Sequence, residues 1–204
     1  MKIFCIAANY RKHNEELNFE NSSTPIFFIK PETSLLRNNS DFYYPEFSKQ
    51  IEYETELVIK ICKMGKCIDK KFAHRYYDEI GIGLDITARD LQNEYRKKGL
   101  PWFMSKGFDA SAPISAEFVN KDTFRDLHNI NFNLKINGKI VQSGNTSDMI
   151  FDFDDIVSYI SQFITLKMGD LIFTGTPAGI GPLNIGDFVE ADIEGNKMLE
   201  MRVK

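Results

Sequence analysis

The stretch Ile51-Glu52-Tyr53-Glu54-Thr55-Glu56-Leu57-Val58-Ile59-Lys60-Ile61-Cys62 alternates in polarity and is rich in β-branched residues, the pattern of a strand with two unlike faces. Lys63-Met64-Gly65-Lys66 then supplies a turn and Cys67-Ile68 begins a return, so this region predicts a hairpin. Side chains two apart on a strand point the same way, which puts the carboxylates of Glu54 and Glu56 on one face and Tyr53, Thr55 and Leu57 on the other. Two like charges side by side are costly unless water or a cation balances them. A solvated strand face and a cation site both satisfy that condition.

The next strand, Ile80 to Ile86, carries Asp85 at its end, followed by Arg89 and Asp90. An acid terminating an apolar strand needs an arginine, a helix N-terminus or a metal. Were Asp85 to meet Glu54 and Glu56, three hard oxygen ligands would leave about three positions of an octahedron open, which suits Mg2+ or Mn2+ and not tetrahedral zinc. Further on, Phe173-Thr174-Gly175-Thr176-Pro177-Ala178-Gly179-Ile180-Gly181 runs from a strand into a Gly/Thr-rich loop. Its N–H groups and hydroxyls could hold a carboxylate or phosphate, although it lacks the lysine and spacing of a P-loop; an ordinary turn is the alternative.

Around these motifs the chain reads as short strands with few helices. Residues 1 to 8 and Pro25 to Lys30 predict strands, and Tyr10 to Asn18 a loop-to-helix segment in which His13 and Glu16 share a face. Residues 31 to 50 read as loop, Ala73 to Glu79 as a short helix, and Thr87 to Lys98 as an amphipathic helix ended by Gly99 and Pro101. Asn137-Gly138 between two apolar runs is a strong type I′ hairpin signal. Ile156 to Ile164 follows helical spacing behind a capping Asp152, and strands follow at Leu171 to Thr174 and Phe188 to Ile193. The expected architecture is one β-rich α+β domain over residues 1–204, with 1–45 as an N-terminal, lid-bearing segment.

The 204 residues contain 29 acidic and 25 basic side chains, for a net charge of -4, which disfavours nucleic acid and anionic membranes as partners. The basic stretches Lys60 to Arg75 and Arg96-Lys97-Lys98 read as solvated faces. Three cysteines without a zinc-type pair point to reduced thiols and a cytoplasmic protein. Ile3 to Ala8 is too short for the apolar core of a signal peptide, and no segment approaches a membrane span.

Eleven motifs in order resemble the fumarylacetoacetate hydrolase family, particularly its small, single-domain, acylpyruvase-like branch. They run from Asn9-Tyr10-x-x-His13-x-x-Glu16 and Lys30-Pro31, through Glu54-x-Glu56-Leu57 and Asp85-x-Thr87-Ala88-Arg89-Asp90-Leu91-Gln92, to Lys106-Gly107-Phe108-Asp109 and Ala112-Pro113. Asn137-Gly138, Gln142-x-Gly144-Asn145-Thr146-Ser147-Asp148-Met149, Gly169-Asp170, Thr174 to Gly181 and Gly186-Asp187 complete the set. The resemblance implies a mixed β-roll, usually a homodimer, with Mg2+ or Mn2+ held by Glu54, Glu56 and Asp85. It implies Lys106 near the substrate, Thr176 holding the substrate carboxylate, and Arg89 and Gln92 lining the site, with a structural salt bridge as the alternative for Arg89. Where the family commonly has Gly-Arg before the Asn-Tyr pair, this chain has Ala7-Ala8, and a basic residue stands at Arg11 instead.

A 2-oxo acid offers a carboxylate and a ketone oxygen to the open metal positions, and the metal then stabilises the enolate that develops when the bond beyond C3 breaks. Acylpyruvate hydrolysis, oxaloacetate decarboxylation and isomerisation or tautomerisation of hydroxydienoates share that step. Hydrolysis also needs an activated water, for which His13 with Glu16 is the candidate base and orienting group. His74 and His128 sit in no matching motif and read as surface residues. Hydrolysis of a 3-acylpyruvate-type bond is the preferred expectation; an isomerase and a non-catalytic carboxylate-binding protein are the alternatives.

Overall fold

The computed structural model describes all 204 residues. With elements numbered along the chain, the largest sheet has the order β2 (Ile26–Lys30), β1 (Ile3–Ala7), β12 (Leu171–Phe173), β5 (Thr55–Ile61), β6 (Tyr77–Leu84) and β9 (Val119–Asn120). All its pairings are antiparallel except β1 with β12. A second, antiparallel sheet has the order β11 (Lys139–Asn145), β10 (Asn131–Ile136), β14 (Phe188–Ile193) and β15 (Asn196–Arg202). Two small sheets join β13 (Gly181–Pro182), β4 (Ile51–Tyr53) and β7 (Thr87–Ala88), and β3 (Leu35–Leu36) with β8 (Ala112–Pro113). The helices are α1 (Arg11–Glu16), α2 (Lys70–Ala73), α3 (Arg89–Lys98), α4 (Phe103–Lys106) and α5 (Phe153–Phe163). This is the β-rich α+β architecture that the strand and turn signals imply. No helix is long and apolar enough to cross a membrane.

The alternation along the central strands divides the molecule. Phe4 and Ile6 of β1, Leu57, Ile59 and Ile61 of β5, and Ile172 of β12 face one way, into the main core. There they meet Phe132 and Leu134 of β10, Val189 of β14, Leu199 of β15, and Ile156, Val157 and Ile160 of α5. Ile3, Cys5, Val58, Leu171 and Phe173 face the other way, onto Ala112 and Ile114. Glu54 and Glu56 have the parity of Val58, so they belong to the thinner second side, where a cleft remains.

Several local signals hold. Asp152 caps α5 by accepting from Asp155 N–H at 2.7 Å, and the Asp155 side chain accepts from Asp152 N–H in return. Asn137 and Gly138 both have positive φ at the tip between β10 and β11, as the type I′ reading requires.

Three expectations need correction. Cys67-Ile68 does not turn back on β5: Cys67 N–H donates to Ser161 O and Ile68 N–H to Ser161 Oγ, so the segment docks on α5. The strand that returns along β5 is β6, beginning at Tyr77, after an excursion through α2. The predicted helix Ala73 to Glu79 is accordingly replaced by α2 and the start of β6, because Tyr77 and Ile80 are drawn into the sheet and its core. The helix predicted from Thr87 starts at Arg89, since Thr87 and Ala88 pair with Glu52 and Ile51.

Within residues 1–45, β1 and β2 are integral strands of the large sheet. The intervening stretch lines the cleft through His13, Leu17 and Phe19. It is tied down by Asn9, whose side-chain amide donates to Thr174 O at 2.8 Å and Phe151 O at 3.1 Å while its Oδ1 accepts from Phe151 N–H at 2.8 Å.

Candidate active site

The register of β5 against β6 assembles the acids. Glu56 lies opposite Gly83 and Thr55 opposite Leu84, and Asp85 N–H donates to Glu54 O at 2.8 Å, so Asp85 follows on across from Glu54. Directly opposed residues of antiparallel strands share a face. A side chain at position 83 would meet the Phe173 ring at 2.6 Å and Pro113 O at 2.8 Å, which restricts that position to glycine. One carboxylate oxygen from each of Glu54, Glu56 and Asp85 lies within 4.8 Å of the others, and all three residues are buried.

Basic side chains converge on this cluster from other elements. Lys106, at the end of α4, donates to Glu54 Oε2 and Asp85 Oδ2, each at 2.8 Å, and to Thr87 Oγ1 at 2.6 Å, which uses its three hydrogens. Lys30, ending β2, directs its hydrogens to Ser111 O at 2.6 Å, Ser111 Oγ at 3.1 Å and Ile86 O at 3.3 Å. Its ammonium is also 2.6 Å from Asp85 Oδ1, but off the hydrogen-bonding direction, so that buried oxygen has charge beside it and no donor. Arg89, opening α3, donates through Nε to Glu52 Oε2 at 2.6 Å and through its terminal nitrogens to Glu54 and to Gln92.

Glu56 differs from its neighbours in having no cation partner; its sole donor is Gly175 N–H, at 2.6 Å. Gly175 reaches that position with φ near 100°, and a side chain there would strike Asn9 Cβ at 2.6 Å. Four carboxylates, those of Glu52, Glu54, Glu56 and Asp85, thus face three cations, Lys30, Arg89 and Lys106. The uncompensated charge, the unpaired Glu56 and the donorless Asp85 oxygen make a set of hard oxygen donors that fits a divalent cation.

The environment splits the acidities. Burial alone would raise the Glu54 pKa, but Lys106 and Arg89 override it and hold the carboxyl well below its usual range. Burial, with the negative charges of Asp85 and Glu54, pushes Glu56 well above its own. Lys106 is also buried, yet Asp85 and Glu54 more than offset that and keep it protonated.

His13 stands on α1 with Nδ1 3.3 Å from Glu16 Oε2. Burial lowers its pKa, against the opposing pull of Glu54 and Glu16. Glu16 also accepts from Gly179 N–H at about 3.2 Å, which links the helix to the Gly/Thr-rich loop. In that loop Thr176 is buried, and its Oγ1 accepts from Gln142 Nε2 at 2.7 Å. Gln142 also donates to Pro177 O and accepts from Thr55 N–H.

One cleft brings together His13, Glu54, Glu56, Asp85, Arg89, Gln92, Lys106 and Thr176, while Glu16 reaches it through His13. Arg89 also makes the salt bridge that stood as its structural alternative. His74 and His128 are exposed and lie elsewhere. Sequence reasoning gave no role to Glu52 or to Lys30, which it met only inside a motif, and missed the aromatic groups Phe19, Phe28 and Trp102 that line the cleft. Glu52 was accessible, since it continues the two-residue spacing of Glu54 and Glu56; Lys30, a lone charge ending an apolar strand, gave a weaker signal.

A family model described as the fumarylacetoacetate (FAA) hydrolase C-terminal matches residues 2–204. The chain belongs to the fumarylacetoacetate hydrolase family. Within this enzyme family it is 41% identical over 202 residues to the mitochondrial oxaloacetate tautomerase of Mus musculus, covering 99% of this chain and 91% of the mouse protein. It is 43% identical over 195 residues to the mitochondrial oxaloacetate decarboxylase of Dictyostelium discoideum, covering 95% and 89%. Among solved structures, the fumarylpyruvate hydrolase of Pseudomonas aeruginosa in complex with Mn2+ and pyruvate superposes with a TM-score of 0.93 at 33% identity, covering all of this chain and 89% of that one. In this family member Ala7 and Ala8 line the cleft, and Ala8 adopts a left-handed conformation with φ of 58°.

Proposed function

We propose that this enzyme acts on small 2-oxo acids, breaking or rearranging bonds at C3, with hydrolysis of 3-acylpyruvates as its preferred reaction. The observation that carries the reading is a buried carboxylate triad with excess negative charge sharing a cleft with a His13–Glu16 pair. A Mg2+ or Mn2+ ion held by Glu54, Glu56 and Asp85 would supply Lewis-acid charge to the carboxylate and ketone oxygens of the substrate. The Mn2+ and pyruvate in the related fumarylpyruvate hydrolase support this choice.

The chain's own groups account for the rest. Lys106 holds Glu54 and Asp85 in place and contributes fixed positive charge beside them. Thr176, whose Oγ1 accepts from Gln142 and so keeps its own hydroxyl hydrogen to donate, is the group suited to the substrate carboxylate. Glu16 accepts from Nδ1–H of His13, which leaves Nε2 as the base; burial keeps the ring neutral and ready to accept a proton. Water, deprotonated by His13, adds to the distal carbonyl carbon. The C3–C4 bond then breaks with its electron pair left on C3, and a proton returned to C3 gives pyruvate and a carboxylic acid.

A second reading, tautomerisation or decarboxylation of oxaloacetate, is favoured by the likeness to the mouse and Dictyostelium enzymes and needs no attacking water. A panel of acetylpyruvate, fumarylpyruvate, oxaloacetate and a hydroxydienoate, assayed spectrophotometrically with Mg2+, Mn2+ or chelator, separates the two. Metal-dependent hydrolysis of acetylpyruvate that is lost in His13→Ala is expected. Undiminished turnover in that variant supports the second reading, and no consumption of any 2-oxo acid refutes both.

A further inference from the structure

The cleft has two unlike kinds of lining, and the second carries information about the far end of the substrate. Besides the carboxylates and their cations, the cleft is lined by apolar groups: Leu17 and Phe19 from the N-terminal segment, Phe28 from β2 and Trp102 ahead of α4, with Ala7 and Ala8. The rings form a continuous surface. Phe28 meets Trp102 edge-on with centroids 6.2 Å apart, and Phe19 meets Trp102 at 6.5 Å. The Phe28 centroid is only 5.7 Å from Lys106 Nζ, so apolar surface begins directly beyond the polar floor.

Nothing in the lining offers a free positive charge. Lys106 has its three hydrogens on Glu54, Asp85 and Thr87, and Arg89 is committed to Glu52, Glu54 and Gln92. Arg96 has no carboxylate partner, but it does not line the cleft; its guanidinium stacks on the Phe19 ring at 4.1 Å. A second carboxylate on the substrate would therefore be placed against aromatic rings without a counter-charge, which is strongly unfavourable, whereas an alkyl or acyl chain would lose water-exposed area there.

Resting on the 2-oxo acid reading of this site, we infer that the cleft selects substrates whose distal end is apolar, and that Phe19, Phe28 and Trp102 set that preference over dicarboxylic 2-oxo acids.

Trp102 is the single tryptophan of the chain, so its fluorescence reports occupancy of the wall without any need for turnover. The test titrates the Mg2+-loaded protein with pyruvate, 2-oxobutanoate, 2-oxopentanoate and 2-oxohexanoate, and with 2-oxoglutarate, which has the carbon count of 2-oxopentanoate and a second carboxylate. Each added methylene should tighten Kd about fourfold until the wall is filled. 2-Oxoglutarate should bind at least about tenfold more weakly than 2-oxopentanoate, and Phe19→Ala should flatten the series while Phe19→Leu restores part of the slope. A flat series in the parent protein, or 2-oxoglutarate binding as tightly as 2-oxopentanoate, overturns the inference and leaves the 2-oxo acid reading standing. Loss of 2-oxoglutarate binding in Arg96→Ala would then assign its second carboxylate to Arg96. Absence of saturable binding for pyruvate and every longer acid, checked by calorimetry, overturns the underlying reading itself.

Discussion

Replacing Glu56 by Gln should make the metal-free protein more stable and the metal-loaded protein less so. Glu56 is buried within 4.8 Å of two other carboxylates, with the Gly175 N–H as its only donor and no cation beside it. Two unit charges at that separation repel by about 3.5 kcal/mol at an effective dielectric constant of 20. Burial, then Asp85 and Glu54, accordingly raises the Glu56 pKa well above its ordinary 4.5. In the window between 4.5 and that raised value the native state binds more protons than the unfolded chain. Stability is therefore full below the window and falls as pH rises through it, by at most about 1.4 kcal/mol per unit.

Gln is nearly isosteric, keeps an acceptor for Gly175, and does not titrate. Urea denaturation in EDTA should find parent and variant alike at pH 5, and the variant ahead by about 2 to 4 kcal/mol at pH 8. Adding Mg2+ should reverse the order, because a cation that binds only the native parent stabilises it by mass action while the variant lacks one anionic ligand. A variant no more stable than the parent at pH 8 in EDTA, or an equal gain from Mg2+ in both proteins, would refute the argument.

Two further outcomes follow from the polar contacts. Burial lowers the His13 pKa below 6.5, so the acid limb of kcat/KM for acylpyruvate hydrolysis should fall below that pH; His13→Gln should lower turnover by about 100- to 10,000-fold while leaving Mg2+-induced stabilisation intact, and a limb above pH 6.5 would contradict the assignment. Asn9→Ala should cost about 2 to 4 kcal/mol in denaturant melts, since it strands Thr174 O and both polar groups of Phe151, and a loss under 1 kcal/mol would show that water replaces the amide.

That Glu54 and Glu56 share a face, and that Asp85 ends an apolar strand, was legible because both are local properties of the sequence; that the three acids meet depends on the register of β5 against β6 and came only from the family resemblance. The hairpin at Asn137-Gly138 and the capped helix after Asp152 were legible as local signals too. The partner of β5 was not, because a turn signal at Lys63 to Lys66 says where the chain bends and nothing about where it goes. Docking of Cys67 and Ile68 on Ser161 is a contact over more than 90 residues. The aromatic wall shows the same limit: Phe19, Phe28 and Trp102 lie far apart in sequence, and each alone reads as an ordinary core or surface aromatic. Lys30 was noticed only within a motif, since its partners Ser111, Ile86 and Asp85 are brought together by the fold.

The loop from Thr174 to Gly181 receives a carboxylate from each side of the cleft, Glu56 at Gly175 N–H and Glu16 at Gly179 N–H. Five consecutive residues therefore gauge the separation between the sheet that carries the triad and the helix that carries the base. An insertion there would move both anchors, so the loop's length is fixed although its side chains are small. The β10–β11 tip is different: neither Gly138 nor its αL conformation brings other atoms within 4 Å of where a side chain would start. Length variation, affinity tags or fused domains belong at that tip, where added chain leaves the cleft untouched.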